Sequence, residues 1–246
     1  MSKAKEIAAE RAYQIVKQML NRIRVLGIGT GSTVRLVVSK LLDDVEARKR
    51  LSSVRVVASS LDTLYLLEEM GVQASLEIPA DGIDFYFDGA DEVALGRHGT
   101  CQVLKGRGGA MVREKLLAFY SKETLLVVDE SKISNVLGEK NKPVPVEVMA
   151  DALRAVKKFL ENHGVKVVVR QGNGKDGPVI SDNGNPILDT WPWHMPVHRY
   201  EALLDTIPGV VGHGIFLGYF DRVVVGYTDG AKEYVCRRTR SAWITK

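Results

Sequence analysis

The chain is poor in the features that would settle a function class early. Cysteine occurs only at Cys101 and Cys236 among 246 residues, so no disulfide framework is expected and a reducing cytoplasmic location is. No apolar run approaches the roughly 18 residues that a membrane span needs, which removes the membrane as a partner. The opening stretch MSKAKEIAAERAY is too charged for a signal peptide. Neither sign of charge dominates: 34 basic residues stand against 30 acidic ones, a net +4. That balance suits an anionic small substrate and gives no indication of nucleic acid. The basic stretch Arg237-Arg238-Thr239-Arg240 reads as a solvated end. There is no internal repeat and no low-complexity segment. His194 and His198 have an i, i+4 spacing, but Pro196 interrupts it and no glutamate of a metalloprotease helix accompanies it, so no metal site is expected there. What the chain does have is 45% hydrophobic and 26% charged residues, enough for one large domain or a large and a small one.

Apolar periodicity from Ala4 to Leu20 predicts an amphipathic helix. Short buried strands follow at 25–29 and 54–58, near 74–78, and at 83–87 and 125–128. Helices lie between them, one after the glycine turn at 29–33 and one from Leu61 to Met70, stopped by Gly71. Alternation of this kind predicts an α/β fold, a mostly parallel open sheet with helices on both faces. The composition changes at Pro143-Val-Pro-Val-Glu-Val148, which is extended. Asp151 is expected to cap a helix running to His163, and Asp182-Asn-Gly-Asn185 to turn a hairpin. Residues 143–206 read as a small α+β domain for oligomerisation. Residues 1–142 and 207–246 read as the catalytic α/β domain, closed by a hairpin at 222–238. Trp191 and Trp193 read as core or interface anchors.

Four loops carry candidate chemistry. Gly27-Ile-Gly-Thr-Gly-Ser-Thr33 joins a strand to a helix, where backbone N–H groups and the positive end of the helix dipole attract anions. It is not a dinucleotide fingerprint, because Ser32 stands at the sixth position and no acid ends the next strand. It also lacks the lysine of a P-loop. It reads as a seat for one phosphate or as a bare glycine turn with caps. Asp88-Gly-Ala-Asp91 puts two carboxylates in one strand-end loop. They can divide acid and base work, hold Mg²⁺, or merely form a turn. Lys105-Gly-Arg-Gly-Gly109 offers a cation and flexible amides for an oxyanion. Glu114, one turn into the next helix, leans back over that loop because helical side chains tilt toward the N-terminus. There the helix dipole lowers a carboxyl pKa and burial raises it. Glu114-Lys115 also reads as an exposed charged pair.

Taken together, GIGTGST, DGADEV, KGRGGAMVREK, VVDESK, PVPVEV and the closing IPGVVGHGIF with VVVGYTDG resemble ribose-5-phosphate isomerase, type A, in order and spacing through nearly the whole chain. The resemblance implies interconversion of D-ribose 5-phosphate and D-ribulose 5-phosphate through a cis-enediolate, with no metal or organic cofactor. It implies substrate binding by Thr30, Gly31, Ser32 and Thr33. Asp88 and Asp91 are implied to bind sugar hydroxyls and assist ring opening, beside Gly89 and Ala90. Lys105 and the amides of Gly106, Arg107 and Gly108 are implied to stabilise the enediolate, and Glu114 to move the proton. Lys132 and Lys5 complete the implied binding set. Arg107 stands where the family usually has glycine, so its side chain is expected to point outward or to reach the phosphate. The resemblance also implies self-association as a homodimer or homotetramer. The rival readings are a sugar-phosphate sensor without turnover and a nucleotide-dependent dehydrogenase.

Overall fold

The computed structural model describes residues 2–172, 174 and 176–243. In chain order the first half holds α1 (Lys3–Met19), β1 (Val25–Ile28), α2 (Ser32–Asp43), α3 (Val45–Leu51), β2 (Arg55–Ala58), α4 (Leu61–Glu69), β3 (Ala74–Ser75), β4 (Ile83–Asp88), β5 (Glu92–Leu95), β6 (Cys101–Leu104), α5 (Met111–Phe119), β7 (Ser121–Asp129) and β8 (Ile133–Ser134). The second half holds β9 (Val144–Val148), α6 (Leu153–Asn162), β10 (Lys166–Val169), β11 (Ile187–Trp191), α7 (Val197–Leu204), β12 (Val210–His213), β13 (Ile215–Leu217), β14 (Arg222–Tyr227) and β15 (Gly230–Val235).

The largest sheet has seven strands in the order β15-β14-β7-β4-β1-β2-β3. Every neighbouring pair is parallel except the edge hairpin β14–β15. Its central strands are buried on both faces, so they read as continuous apolar runs rather than as alternation. Leu125 and Val127 enter one core with Phe85, Phe87 and the buried stripes of α1 and α2. Leu126 and Val128 enter the opposite core with Tyr86, Met111, Leu117 and Phe216. Helices thus cover both faces, α5 on the second, where Val93, Val103 and Phe216 of a further small sheet (β13-β6-β5-β8) join it. A third sheet, β10-β11-β9-β12, is antiparallel and backs onto α6 and α7 over its own core. Its fourth strand, Val210–His213, lies past residue 206.

Three expectations need correcting. Cys101 and Cys236 form a disulfide, with Cα atoms 5.6 Å apart. The count of two had hidden it, because 135 residues separate them and only the fold brings the end of β15 against β6. The basic tail is not a solvated end either. The Arg238 side chain is 5% exposed, and its guanidinium donates to the carbonyls of Ala118, Ser121 and Lys122, closing the end of α5. Asp151 does not cap α6. It lies in a 3-10 turn, Ala150–Ala152, and the helix starts at Leu153 without a side-chain cap.

Candidate active site

Strand order in the seven-stranded sheet reverses between β1 and β4, and in open α/β sheets the crevice at that point takes the ligand. Two loops meet there. β1 runs into Gly29, Thr30 and Gly31, and β4 ends in Asp88. The approach is so close that a Cβ on Gly29 would lie 2.0 Å from Asp88 Oδ1, so only glycine fits. Gly31 precedes α2 with φ of +121°, left-handed territory that also favours glycine. Ser32 and Thr33 then open α2, with their N–H groups at its positive end. The Thr30 hydroxyl sits among those of Ser59, Ser60 and Thr63, at 2.8, 2.7 and 3.1 Å, which fixes the turn from below.

Asp88 is fully buried and both its oxygens are engaged. Oδ1 accepts from the N–H of Thr30 at 3.1 Å and of Gly89 at 2.7 Å. Oδ2 accepts from the Tyr86 hydroxyl and faces Lys105 Nζ at 2.9 Å. With its lone pairs spent on protein donors, Asp88 is poorly placed to ligate a metal ion. Lys105 is buried too. It follows β6, donates to the Gly89 carbonyl and lies 3.3 Å from Glu114 Oε1. The three side chains thus form a row, with the lysine between two carboxyls.

Glu114 is 4% exposed, which rules out the exposed charged pair. Its neighbour Lys115 is packed over the rings of Phe216 and Tyr219. Oε2 of Glu114 is buried and has no protein partner. Burial pushes its carboxyl up to about 8, against the downward pull of the Lys105 cation. Burial also disfavours the Lys105 cation, but Asp88 and then Glu114 outweigh it and hold the lysine above its ordinary value. Burial and the Asp88 charge raise the Tyr86 phenol well above its ordinary value, so it stays a donor.

The glycine loop after Lys105 is held on several sides. Gly106 has φ of +98°, its carbonyl accepts from Gly109 N–H at 3.0 Å, and Arg107 N–H donates to Asp91 Oδ2 at 2.9 Å. These groups surround a cavity of about 560 Å³. Lys5, Thr30, Gly31, Ser32, Thr33, Gly89, Ala90, Asp91, Lys105, Gly106, Arg107, Gly108, Glu114 and Lys132 all line it. Of the residues singled out from sequence, Asp88 alone is set back from the wall. Lys5 Nζ donates to Ser32 Oγ at 3.1 Å, so α1 contributes a cation to the start of α2. Sequence reading missed Arg35, Ser60, Asp62 and Asp182, which also line the cavity. Arg35 carried a signal, since i+3 from Ser32 it shares that helix face. Asp182 carried none. Its carboxylate accepts from Leu61 N–H at 2.8 Å across 121 residues of chain.

The family model for ribose 5-phosphate isomerase A (phosphoriboisomerase A) matches residues 55–230. The chain belongs to the ribose 5-phosphate isomerase A family. Within that family it is 37% identical over 229 residues to the ribose-5-phosphate isomerase A of Pyrococcus abyssi, covering 93% of this chain and 96% of the relative. The solved ribose 5-phosphate isomerase A of Methanocaldococcus jannaschii superposes with a TM-score of 0.83 at 36% identity, covering 94% of this chain and 98% of that one. A further D-ribose-5-phosphate isomerase, solved in complex with phospho-erythronic acid, gives a TM-score of 0.81 at 35% identity, covering 96% of this chain and all of that one. In this member of the ribose 5-phosphate isomerase A family, the side chain of Arg107 is 85% exposed. Its Nε lies 3.9 Å from Asp91 Oδ1, and both residues line the cavity.

Proposed function

We propose that this chain interconverts D-ribose 5-phosphate and D-ribulose 5-phosphate with Glu114 as the single base. The observation that carries the reading is the asymmetry of that carboxyl. One oxygen lies 3.3 Å from Lys105 Nζ, the other is buried without a protein partner, and the residue itself lines the cavity. A base working near neutral pH is most effective when its own pKa lies there, and burial has moved Glu114 to that range.

In this mechanism Glu114 takes the proton from C2 of the open-chain aldose. The C1–C2 double bond forms, and the carbonyl electrons move to O1. Lys105 and amides of the glycine loop stabilise the oxygens of the resulting cis-enediolate. The O2 hydroxyl proton passes to O1, Glu114 returns its proton to C1, and the C2 carbonyl of the ketose results. Asp88, set behind Lys105, keeps that lysine charged and aimed, while Asp91 faces the sugar. The phosphate belongs at the opposite end, on the N-terminus of α2 with Lys5 and Lys132, because a dianion beside Glu114 and Asp88 would be repelled. Phospho-erythronic acid, bound in one relative, has a carboxylate where the enediolate carries its two oxygens, and it is the inhibitor to use on this chain.

The test is ketose formation from ribose 5-phosphate with neither NAD nor added metal. Glu114→Gln should lower turnover by about 10² to 10⁴ and keep binding. A variant that stays active would refute the assignment of the base.

Two broader readings accompany this one. We propose that residues 143–206 form the contact between copies in a homodimer or homotetramer, since Met149, Phe159 and Val168 expose apolar area there. Sedimentation of the purified chain as a monomer would refute it. We also place the chain in the cytoplasm. Disulfides are rare in a reducing cytosol, with hyperthermophile proteins the main exception, so Cys101–Cys236 makes free-thiol titration of native cell extract the measurement to make.

A further inference from the structure

Arg170 lies at the end of β10, in the small antiparallel sheet, and its guanidinium is divided between two tasks. Nε and Nη2 grip the carboxylate of Asp189, at 3.0 and 2.5 Å. Nη1 reaches across to the glycine loop and donates to the carbonyls of Gly106 at 2.9 Å and Arg107 at 3.1 Å. The pair is largely buried, with side chains 14% and 17% exposed.

A planar trans peptide points its C=O and the following N–H in opposite directions. With the Gly106 carbonyl on Arg170, the Arg107 N–H must face the other way, and it is found on Asp91 Oδ2. With the Arg107 carbonyl on Arg170, the Gly108 N–H must also face away. Gly108 lines the cavity, and among the described residues its N–H donates to no protein acceptor. Glycines flank this segment with positive φ at Gly106 and Gly109, so the loop has little stiffness of its own to keep its peptides oriented. A lysine cannot replace the arginine, because an ammonium has no fork to split between a carboxylate and two carbonyls.

We propose that Arg170, held by Asp189, is a positioning residue that aims the Gly108 N–H at the oxygen on which charge develops. The small sheet thereby orients the amide cradle of the other lobe. This rests on the isomerase reading above. A plain ion pair tying two lobes together would serve stability alone, and the two roles separate kinetically.

The full chain is assayed as wild type, Arg170→Met, Arg170→Lys and Asp189→Asn. The readouts are kcat and KM for ribose 5-phosphate, the inhibition constant of phospho-erythronic acid, and thermal melting. Wild type without turnover overturns the isomerase reading, and this inference with it. With wild type active, misaimed donors should lower kcat of both Arg170 variants about 100-fold. KM should stay within about threefold, and the inhibitor should weaken about tenfold or more, because the lost interaction is made with the charged intermediate. Asp189→Asn, which keeps the carbonyl contacts and loosens their anchor, should lose about tenfold in kcat in the same pattern. It decides the matter if the Arg170 variants do not fold. Normal kcat and inhibitor affinity in folded variants, full rescue by Arg170→Lys, or losses that merely follow the melting temperature would each overturn the proposal.

Discussion

Replacing Glu114 by glutamine should make the protein more stable as it makes it inactive. The change conserves shape and removes a charge that the fold accommodates poorly. Burial moves the carboxyl from its ordinary 4.5 to about 8. A carboxyl raised on folding costs nothing below about pH 4.5, where both folded and unfolded chains hold the proton. The cost grows from there and is complete above about pH 8. At about 1.4 kcal/mol per pH unit over that interval, the ceiling is about 5 kcal/mol. Relaxation and partial hydration of the wild-type carboxylate take part of this, leaving about 1–3 kcal/mol. Lys105 does not become an unpaired buried charge in the variant, since Asp88 stays 2.9 Å away. Turnover should fall by about 10² to 10⁴, the usual share of a general base. The assay is denaturant unfolding of both proteins at pH 5 and pH 8.5, beside ketose formation. The stability gain must be small at pH 5 and larger at pH 8.5. A variant that loses stability at pH 8.5, or differs by the same amount at both values, refutes the electrostatic argument.

Three further outcomes follow from the same geometry. kcat/KM should climb as pH rises through about 8, where Glu114 loses its proton. No fall should appear below about pH 10, because Lys105 is held above the ordinary lysine value; a rise centred near pH 4.5 contradicts this. Gly29→Ala would place a methyl 2.1 Å from Asp88 Cγ. Overpacking of that kind costs about 1–3 kcal/mol, and displacing the Asp88–Lys105 pair should cost turnover about 100-fold, measured by melting and by ketose formation; a variant with wild-type kcat refutes the placement. Reducing Cys101–Cys236 should lower unfolding stability by about 2–4 kcal/mol, since it closes a long loop. The native chain should show no reactive thiol before reduction and two after, and two thiols in the untreated protein would refute the bond.

What was legible in the sequence was local. The glycine turn at 29–31, the Asp88 and Lys105 loops and the backward lean of Glu114 are each a few residues long, and their spacing carries their geometry. The main strands and helices of the large sheet were legible for the same reason, since periodicity reports which face an element buries, but α3, β5, β8, β12 and β13 were not. What escaped was whatever depends on distant segments meeting. Tyr86 looked like one more apolar strand residue until the sheet put its hydroxyl on Asp88. Ser59 and Ser60 follow a strand that had only its missing terminal acid to mark it, yet their hydroxyls hold Thr30. Arg170 and Asp189 lie in the other lobe and had no local pattern to mark them. The pKa of Glu114 was undecidable from sequence because it turns on burial, which is a property of the packed molecule.

The place of β14 in the large sheet has a consequence for synthesis. The strand at 222–227 lies between β7 and β15, and α1 packs on it so tightly that a Cβ on Gly226 would strike the Ala4 carbonyl at 2.0 Å. Lys5 sits on that same turn of α1. A ribosome-bound chain that has not yet exposed residues 222–227 can pack its first helix on α2 and β7 but lacks the β14 part of that seat. The seating of α1, and with it of Lys5, should therefore be completed only after residues 222–227 have left the exit tunnel.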